Sequence, residues 1–230
     1  MKTKKRWFLK AELAVLVCVA CIWVVKSATI DIESVKAAVL KQVVKIDQDN
    51  VNACQFLAAY YDRSRDFEKA AEVCKQLVRI EPNESHTWND LGDEYASSGR
   101  YEEAVQAYKK AAQLDPDWRW PHFCLAYTYK DMHLYNNAIE ELKLLIKLEP
   151  DVVGLNVVLA NFYSQAGQYE NAILACKHAL QLDPNRSGAH YCLGKVYLES
   201  GSKDLALEEY KILKTEDGKS ANELLGLINQ

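Results

Sequence analysis

The chain is short of the residues that make turns and sheets. Glycine occurs 9 times and proline 5 times in 230 residues, too few for an architecture of many short strands, and the deficit points to helices. A strong charge of one sign is also lacking, since 28 Lys and Arg stand against 32 Asp and Glu for a net −4. The balance is uneven along the chain. Residues 1–26 hold six basic residues and one acid, Glu12, for +5, which leaves −9 on the remainder. An acidic body repels phosphate backbones, so no nucleic acid is expected as a partner. Seven cysteines are present, but Cys54, Cys74, Cys124, Cys176 and Cys192 form no CxxC pair or close cluster. Neither a disulfide framework nor a zinc module is indicated. Glycine-rich phosphate loops, HExxH and GxSxG are missing too, as is any singled-out pair of carboxylates for acid–base work. No enzyme, cofactor or metal is expected. What remains is globular composition, 49% hydrophobic and 26% charged, too apolar for disorder.

The scarce prolines keep a period. Pro82, Pro116, Pro150 and Pro184 are spaced by 34 residues, each closing the same phrase: Ile80-Glu81, Leu114-Asp115, Leu148-Glu149, Leu182-Asp183. A fixed step in this range means stacked units. Each unit reads as two amphipathic helices, with apolar residues at three- and four-residue steps. Small residues recur where helices must approach closely: Ala58, Gly92, Ala126, Ala160 and Gly194 on the first helix, and Ala70, Ala104, Ala138, Ala172 and Ala206 on the second. A tyrosine large enough to bridge the pair recurs at Tyr61, Tyr95, Tyr129, Tyr163 and Tyr197. Turn formers such as Ser98-Gly99-Arg100 and Ala166-Gly167-Gln168 separate the helices, and the timed prolines end the second ones.

One period, Ser85 to Pro116, holds Trp88, Leu91, Gly92, Tyr95, Ala104, Tyr108, Ala111 and Pro116. In spacing and residue type together it resembles the tetratricopeptide repeat (TPR) family. The resemblance covers about residues 51–218. It implies an all-α, right-handed superhelix, an α-solenoid of five helix-turn-helix repeats: 51–84, 85–118, 119–152, 153–186 and 187–218. Residues 31–47 read as an orphan second helix within the 26–50 linker, and residues 219–230 as a closing helix with Leu224, Leu227 and Ile228 on one side. Such caps cover stacking faces that end units would otherwise expose.

The N-terminus carries a different signal. A basic tail, residues 1–6, precedes an apolar stretch at residues 7–25 that is long enough for a single transmembrane helix. Three readings compete: a retained signal anchor, which is the expectation, a cleaved signal peptide, and a lipoprotein signal acylated at Cys21. The excess of basic residues before the stretch predicts a cytoplasmic N-terminus and repeats on the extracytoplasmic side.

The resemblance implies a groove, concave and lined by first helices, and together with the N-terminal stretch it leads to the expectation of a non-catalytic, membrane-anchored scaffold that holds a protein or peptide there. The repeat register places Asn89 and Asp93, Trp120, Phe123 and Tyr127, Val157 and Asn161, and Tyr191 and Lys195 on that face. Trp120, Phe123 and Tyr127 share one helical stripe, apolar where the family is usually polar, and a packing role for Phe123 or Tyr127 against a neighbouring helix is the alternative. Groove places that form a carboxylate clamp in some relatives hold Gln55, Ala59, Asn89, Asp90, Trp120 and Cys124 here, so capture of chaperone tails is not expected. Two other functional readings keep the same fold: an envelope assembly or secretion lipoprotein, pilotin-like or an outer-membrane assembly factor, and a regulatory subunit of a separate enzyme.

Overall fold

The structure, a computed structural model, describes residues 32–230. Among them are twelve α-helices and no strand. They are α1 (Ile32–Ile46), α2 (Val51–Arg63), α3 (Phe67–Ile80), α4 (Ser85–Ser97), α5 (Tyr101–Leu114), α6 (Arg119–Asp131), α7 (Tyr135–Leu148), α8 (Val153–Gln165), α9 (Tyr169–Leu182), α10 (Ser187–Glu199), α11 (Lys203–Glu216) and α12 (Gly218–Ile228). The chain divides into two compact units at Leu114 and Asp115, one containing α1–α5 and the other α6–α12.

Within each unit the helices pack as successive hairpins, for reasons visible in the repeating residues. All ten small residues at the helix contacts are buried. At Gly92 the reason is direct: a Cβ there would lie 2.5 Å from the ring carbons Cδ1 and Cε1 of Tyr108, so only glycine lets α5 close on α4. The hairpin turns repeat the same backbone conformation every 34 residues, with positive φ at Arg65, Gly99, His133, Gly167 and Gly201. Glycine adopts it freely, whereas Arg65 and His133 must bear the steric cost of the left-handed region.

Four second helices stop two residues before their proline, because the ring has no N–H to continue the ladder. Those linkers are then tied to the next helix. The Trp88 indole N–H donates to the Pro82 carbonyl at 2.9 Å, and His190 Nε2 reaches the Pro184 carbonyl at 2.9 Å from the equivalent position. Side chains of Asn50, Asp66 and Asp217 cap α2, α3 and α12 by accepting backbone N–H bonds, filling part of the donor deficit at a helix start.

A helix stands at each end of the described residues. α1 covers the start of the first unit and contacts α2. α12 closes the second, where Leu224 is fully buried against Gly194. One detail differs from expectation: Leu227 is 36% exposed, while Leu224 and Ile228 are buried. Three residues separate Leu224 from Leu227, turning the latter to the edge of the stripe; Ile228, four residues on, stays beneath it. The anchor expected at residues 7–25, with the basic tail before it, lies outside the described residues. Among the described residues no helix is long and apolar enough to cross a membrane.

Candidate binding surfaces

In the second unit the first helix, α6, carries a ladder of rings. Trp120 stacks on Phe123 with centroids 5.4 Å apart, and Phe123 meets Tyr127 at 4.6 Å. Tyr127 then points its ring edgewise at Phe162 of α8, 5.5 Å away. Burial rises along the ladder. Trp120 is 47% exposed, Phe123 and Tyr127 are half-buried, and Phe162 lies in the core. The stripe is therefore both things at once: packed at its inner end and open at its outer end. Lys130 adds a cation 5.8 Å from the Tyr127 ring centroid.

The polar residues placed beside this stripe are already engaged. Asn161 donates through Nδ2 to the Val157 carbonyl at 3.1 Å and accepts at Oδ1 from the Cys192 thiol at 3.5 Å. Lys195 pairs with Glu199 at 3.6 Å. Val157 and Tyr191 are half-buried. In this surface the apolar ladder, not the amides, is what stands open to a partner.

The first unit is different in chemistry. Asn89 is buried, with Nδ2 donating to Asp93 Oδ2 at 3.1 Å, and the Tyr108 hydroxyl donates to the other oxygen of Asp93 at 2.7 Å. Around them gather Asp62 of α2 and Asp90 and Glu94 of α4. Burial, with the carboxylates of Asp62, Asp93 and Asp90 beside it, pushes the Glu94 carboxyl up to about 7. Burial and the same acids, Glu94 foremost, push the Cys74 thiol up as well.

Sequence reasoning passed over several of these residues, although the register held the signal. Glu94 and Phe162 occupy one position of the repeat, filled in the other units by Tyr60, Thr128 and Val196. A carboxylate there is out of place. The first-helix Trp88 position is likewise filled by His122, Asn156 and His190, and each finds a partner on the following helix. His122 Nδ1 lies 2.7 Å from Glu141, His190 Nδ1 2.7 Å from Glu209, and Asn156 Oδ1 3.1 Å from His178. Only the two histidine units carry Glu at the partner position; the others have Val73, Ala107 and Ala175. His190 faces an acceptor at each ring nitrogen. Its burial opposes the charge, yet the Glu209 carboxylate and the Pro184 carbonyl prevail and raise its pKa, as two acceptors require two N–H donors.

The cysteines are free among the described residues. Cys54, Cys74, Cys176 and Cys192 are buried, and the thiols of Cys176 and Cys192 are within hydrogen-bond reach of one another. Among the described residues no three His, Cys, Asp or Glu side chains converge as metal ligands.

Comparison with known proteins agrees with the hairpin geometry. A family profile described as TPR repeat matches residues 92–132 and 160–201, and one described as tetratricopeptide repeat matches residues 51–84 and 123–152. Similar solved structures include a crystal structure of MamA, at 23% identity over 72% of this chain and 97% of that one, with a TM-score of 0.62. Another is MamA 41-end from Desulfovibrio magneticus RS-1, at 22% identity, 73% and 96% coverage, and TM-score 0.63. YrrB, described as a TPR protein with an unusual peptide-binding site, aligns at 15% identity, 81% and 97% coverage, and TM-score 0.60. At these identities the likeness is one of fold. No curated protein matches the chain. The two repeat profiles together span more than half of the sequence, and the chain belongs to the tetratricopeptide repeat family.

Proposed function

We propose that this chain is a non-catalytic scaffold that holds a segment of another polypeptide against its first helices. Repeat proteins of this family are generally scaffolds and not catalysts. The observation that carries the reading here is the ring ladder of α6, open at Trp120 and anchored at its far end on buried Phe162. A half-exposed aromatic on a rigid base offers a partner apolar area at little entropic cost, the usual make-up of an interface hot spot. The fold likeness to YrrB, described as binding peptide, lends support. Tethering belongs to the same reading and rests on the sequence of residues 1–26. The chain is anchored by residues 7–25, with the N-terminus cytoplasmic and the repeats outside.

The test replaces both outer rings. Trp120→Ala with Phe123→Ala should weaken capture of the native partner by roughly 10- to 100-fold, the loss of about 1.4–2.8 kcal/mol expected for hot-spot aromatics. Helical content should be unchanged. Equal capture by the variant and the parent chain refutes the assignment. Intact mass of the membrane-extracted chain tests the tether: full-length mass supports the anchor, and a shortened chain acylated at Cys21 contradicts it.

A further inference from the structure

The acidic cluster of the first unit has a property that internal packing does not explain. Two of its oxygens, Asn89 Oδ1 and Glu94 Oε2, are buried without a hydrogen-bond partner. Asn89 is 2% exposed and Glu94 8%. Leaving a buried polar group unpaired destabilises a fold, and each such group in a native fold calls for a reason. The Asn89 carbonyl oxygen is an acceptor, and Glu94 Oε2 is one whenever its carboxyl is ionised. Asn89 commits its amide nitrogen to Asp93, which leaves its carbonyl oxygen without a partner. Glu94 has Asp62, Asp93 and Asp90 as electrostatic neighbours, and among the described residues no Lys or Arg forms an ion pair with Asp62, Asp90 or Glu94.

The repeat register sharpens the point. At the position of Glu94 the other units place Tyr60, Thr128, Phe162 and Val196, and Thr128, Phe162 and Val196 are buried. A position that is apolar or hydroxylic in the sister units thus holds an acceptor here, with Asp62 and Asp90 exposed beside it and only His86 acting as a cation toward Asp90. A metal ion does not suit it, because no three ligating side chains converge there. The chemistry left is a larger organic cation rich in N–H donors. A guanidinium has five such donors and no acceptor, and stays charged under all conditions; an ammonium offers three.

We propose that the α2–α4 face of the first unit binds an arginine or lysine side chain of the polypeptide the scaffold holds. Asn89 Oδ1 and Glu94 Oε2 accept its hydrogen bonds, and Asp62 and Asp90 supply the surrounding charge. This rests on the scaffold reading and adds the class of residue that the partner must carry. The second unit selects apolar groups through its rings; the first selects a cation.

The experiment selects binders from a random 12-residue peptide library displayed on phage, using the full chain in detergent, its Asp62→Asn/Glu94→Gln variant, and its Trp120→Ala variant. Both substitutions in the acidic variant nearly preserve side-chain shape, and far-ultraviolet circular dichroism checks the fold. Recovered peptides are resynthesised with each Arg replaced by citrulline, which keeps the shape and removes the charge, and each Lys by norleucine. The expectation is enrichment of Arg or Lys in peptides selected on the parent chain. Their neutral versions should bind at least 10-fold more weakly, and the preference should disappear with the acidic variant. Binders that lack basic residues and depend on Trp120 overturn the inference and leave the scaffold reading standing. Basic peptides that bind the acidic variant as well as the parent chain overturn the placement of the cation. A library that yields no binder to the parent chain contradicts both.

Discussion

Replacing Gly92 with alanine should destabilise the protein, against the ordinary rule for helices. Alanine is the better helix former by about 1 kcal/mol, and Gly92 lies in the interior of α4. The added methyl would sit 2.5 Å from Tyr108 Cδ1 and Cε1 and 2.9 Å from Cζ, roughly 1 Å closer than carbon atoms tolerate. The ring cannot swing away, since Tyr108 is buried and its hydroxyl donates to Asp93. Overpacking costs about 1–3 kcal/mol, and a 2.5 Å approach to a ring held in place belongs in the upper half of that range, about 2–3 kcal/mol. The net loss should therefore be near 1–2 kcal/mol once the helical gain is subtracted. Gly226 is the control. It lies inside α12, and a Cβ there meets nothing within 4 Å, so alanine should stabilise by up to about 1 kcal/mol. Urea unfolding followed by circular dichroism should show the midpoint falling by about 0.5–1 M for Gly92→Ala and rising for Gly226→Ala, given a slope near 2 kcal/mol/M. In a Tyr108→Leu background the penalty at Gly92 should shrink by at least about 0.5 kcal/mol. If Gly92→Ala stabilises as much as Gly226→Ala, the close approach of α4 and α5 is wrong.

Two further outcomes follow from the backbone and the charges. His133→Gly should stabilise by about 0.5–1 kcal/mol, because His133 holds φ 59° in the turn where three sister units have glycine; a loss in thermal or urea unfolding would count against a strained turn. Glu94 sets a pH dependence. Its folded pKa of about 7 exceeds the unfolded value of 4.5, so its protonation favours the fold fully below pH 4.5, and that contribution is lost as pH rises through about 7. Glu94→Gln should therefore unfold at higher urea than the parent chain at pH 8.5 and nearly match it at pH 5. The difference at high pH should be on the order of 2 kcal/mol. Equal pH profiles for the two proteins would mean that Glu94 is not held in a low-dielectric recess.

The fold was legible because backbone punctuation and small residues repeat. Prolines every 34 residues and paired Ala or Gly at fixed places leave one way to stack hairpins, and the structure has the expected helices. The site was less so. Trp120 was found because an aromatic at a usually polar position stands out against the repeat. Phe162 was missed because it precedes Tyr163 of the bridging tyrosine series and reads as core. Asn89 was expected to face a partner, but a contact face in one unit can be covered by the side chains around it, and Asn89 is buried. Glu94 could have been flagged by comparing units with one another at a single position. Its missing hydrogen bond could not, since an unpaired atom is a property of coordinates. The exchange of tryptophan for histidine at two units, each with a glutamate nineteen residues on, shows that a departure from a repeat pattern can be compensated within the same unit.

The claim at the centre is that partners meet the first helices and not the second helices. A photoreactive benzoylphenylalanine placed at Trp120, in the open end of the ring ladder, can be compared with one at Leu174 of α9, which is 64% exposed. Irradiation of native membranes should give a discrete cross-linked adduct from position 120 and none from position 174. Adducts from position 174 with none from position 120 would place the binding surface on the wrong helices and contradict the account.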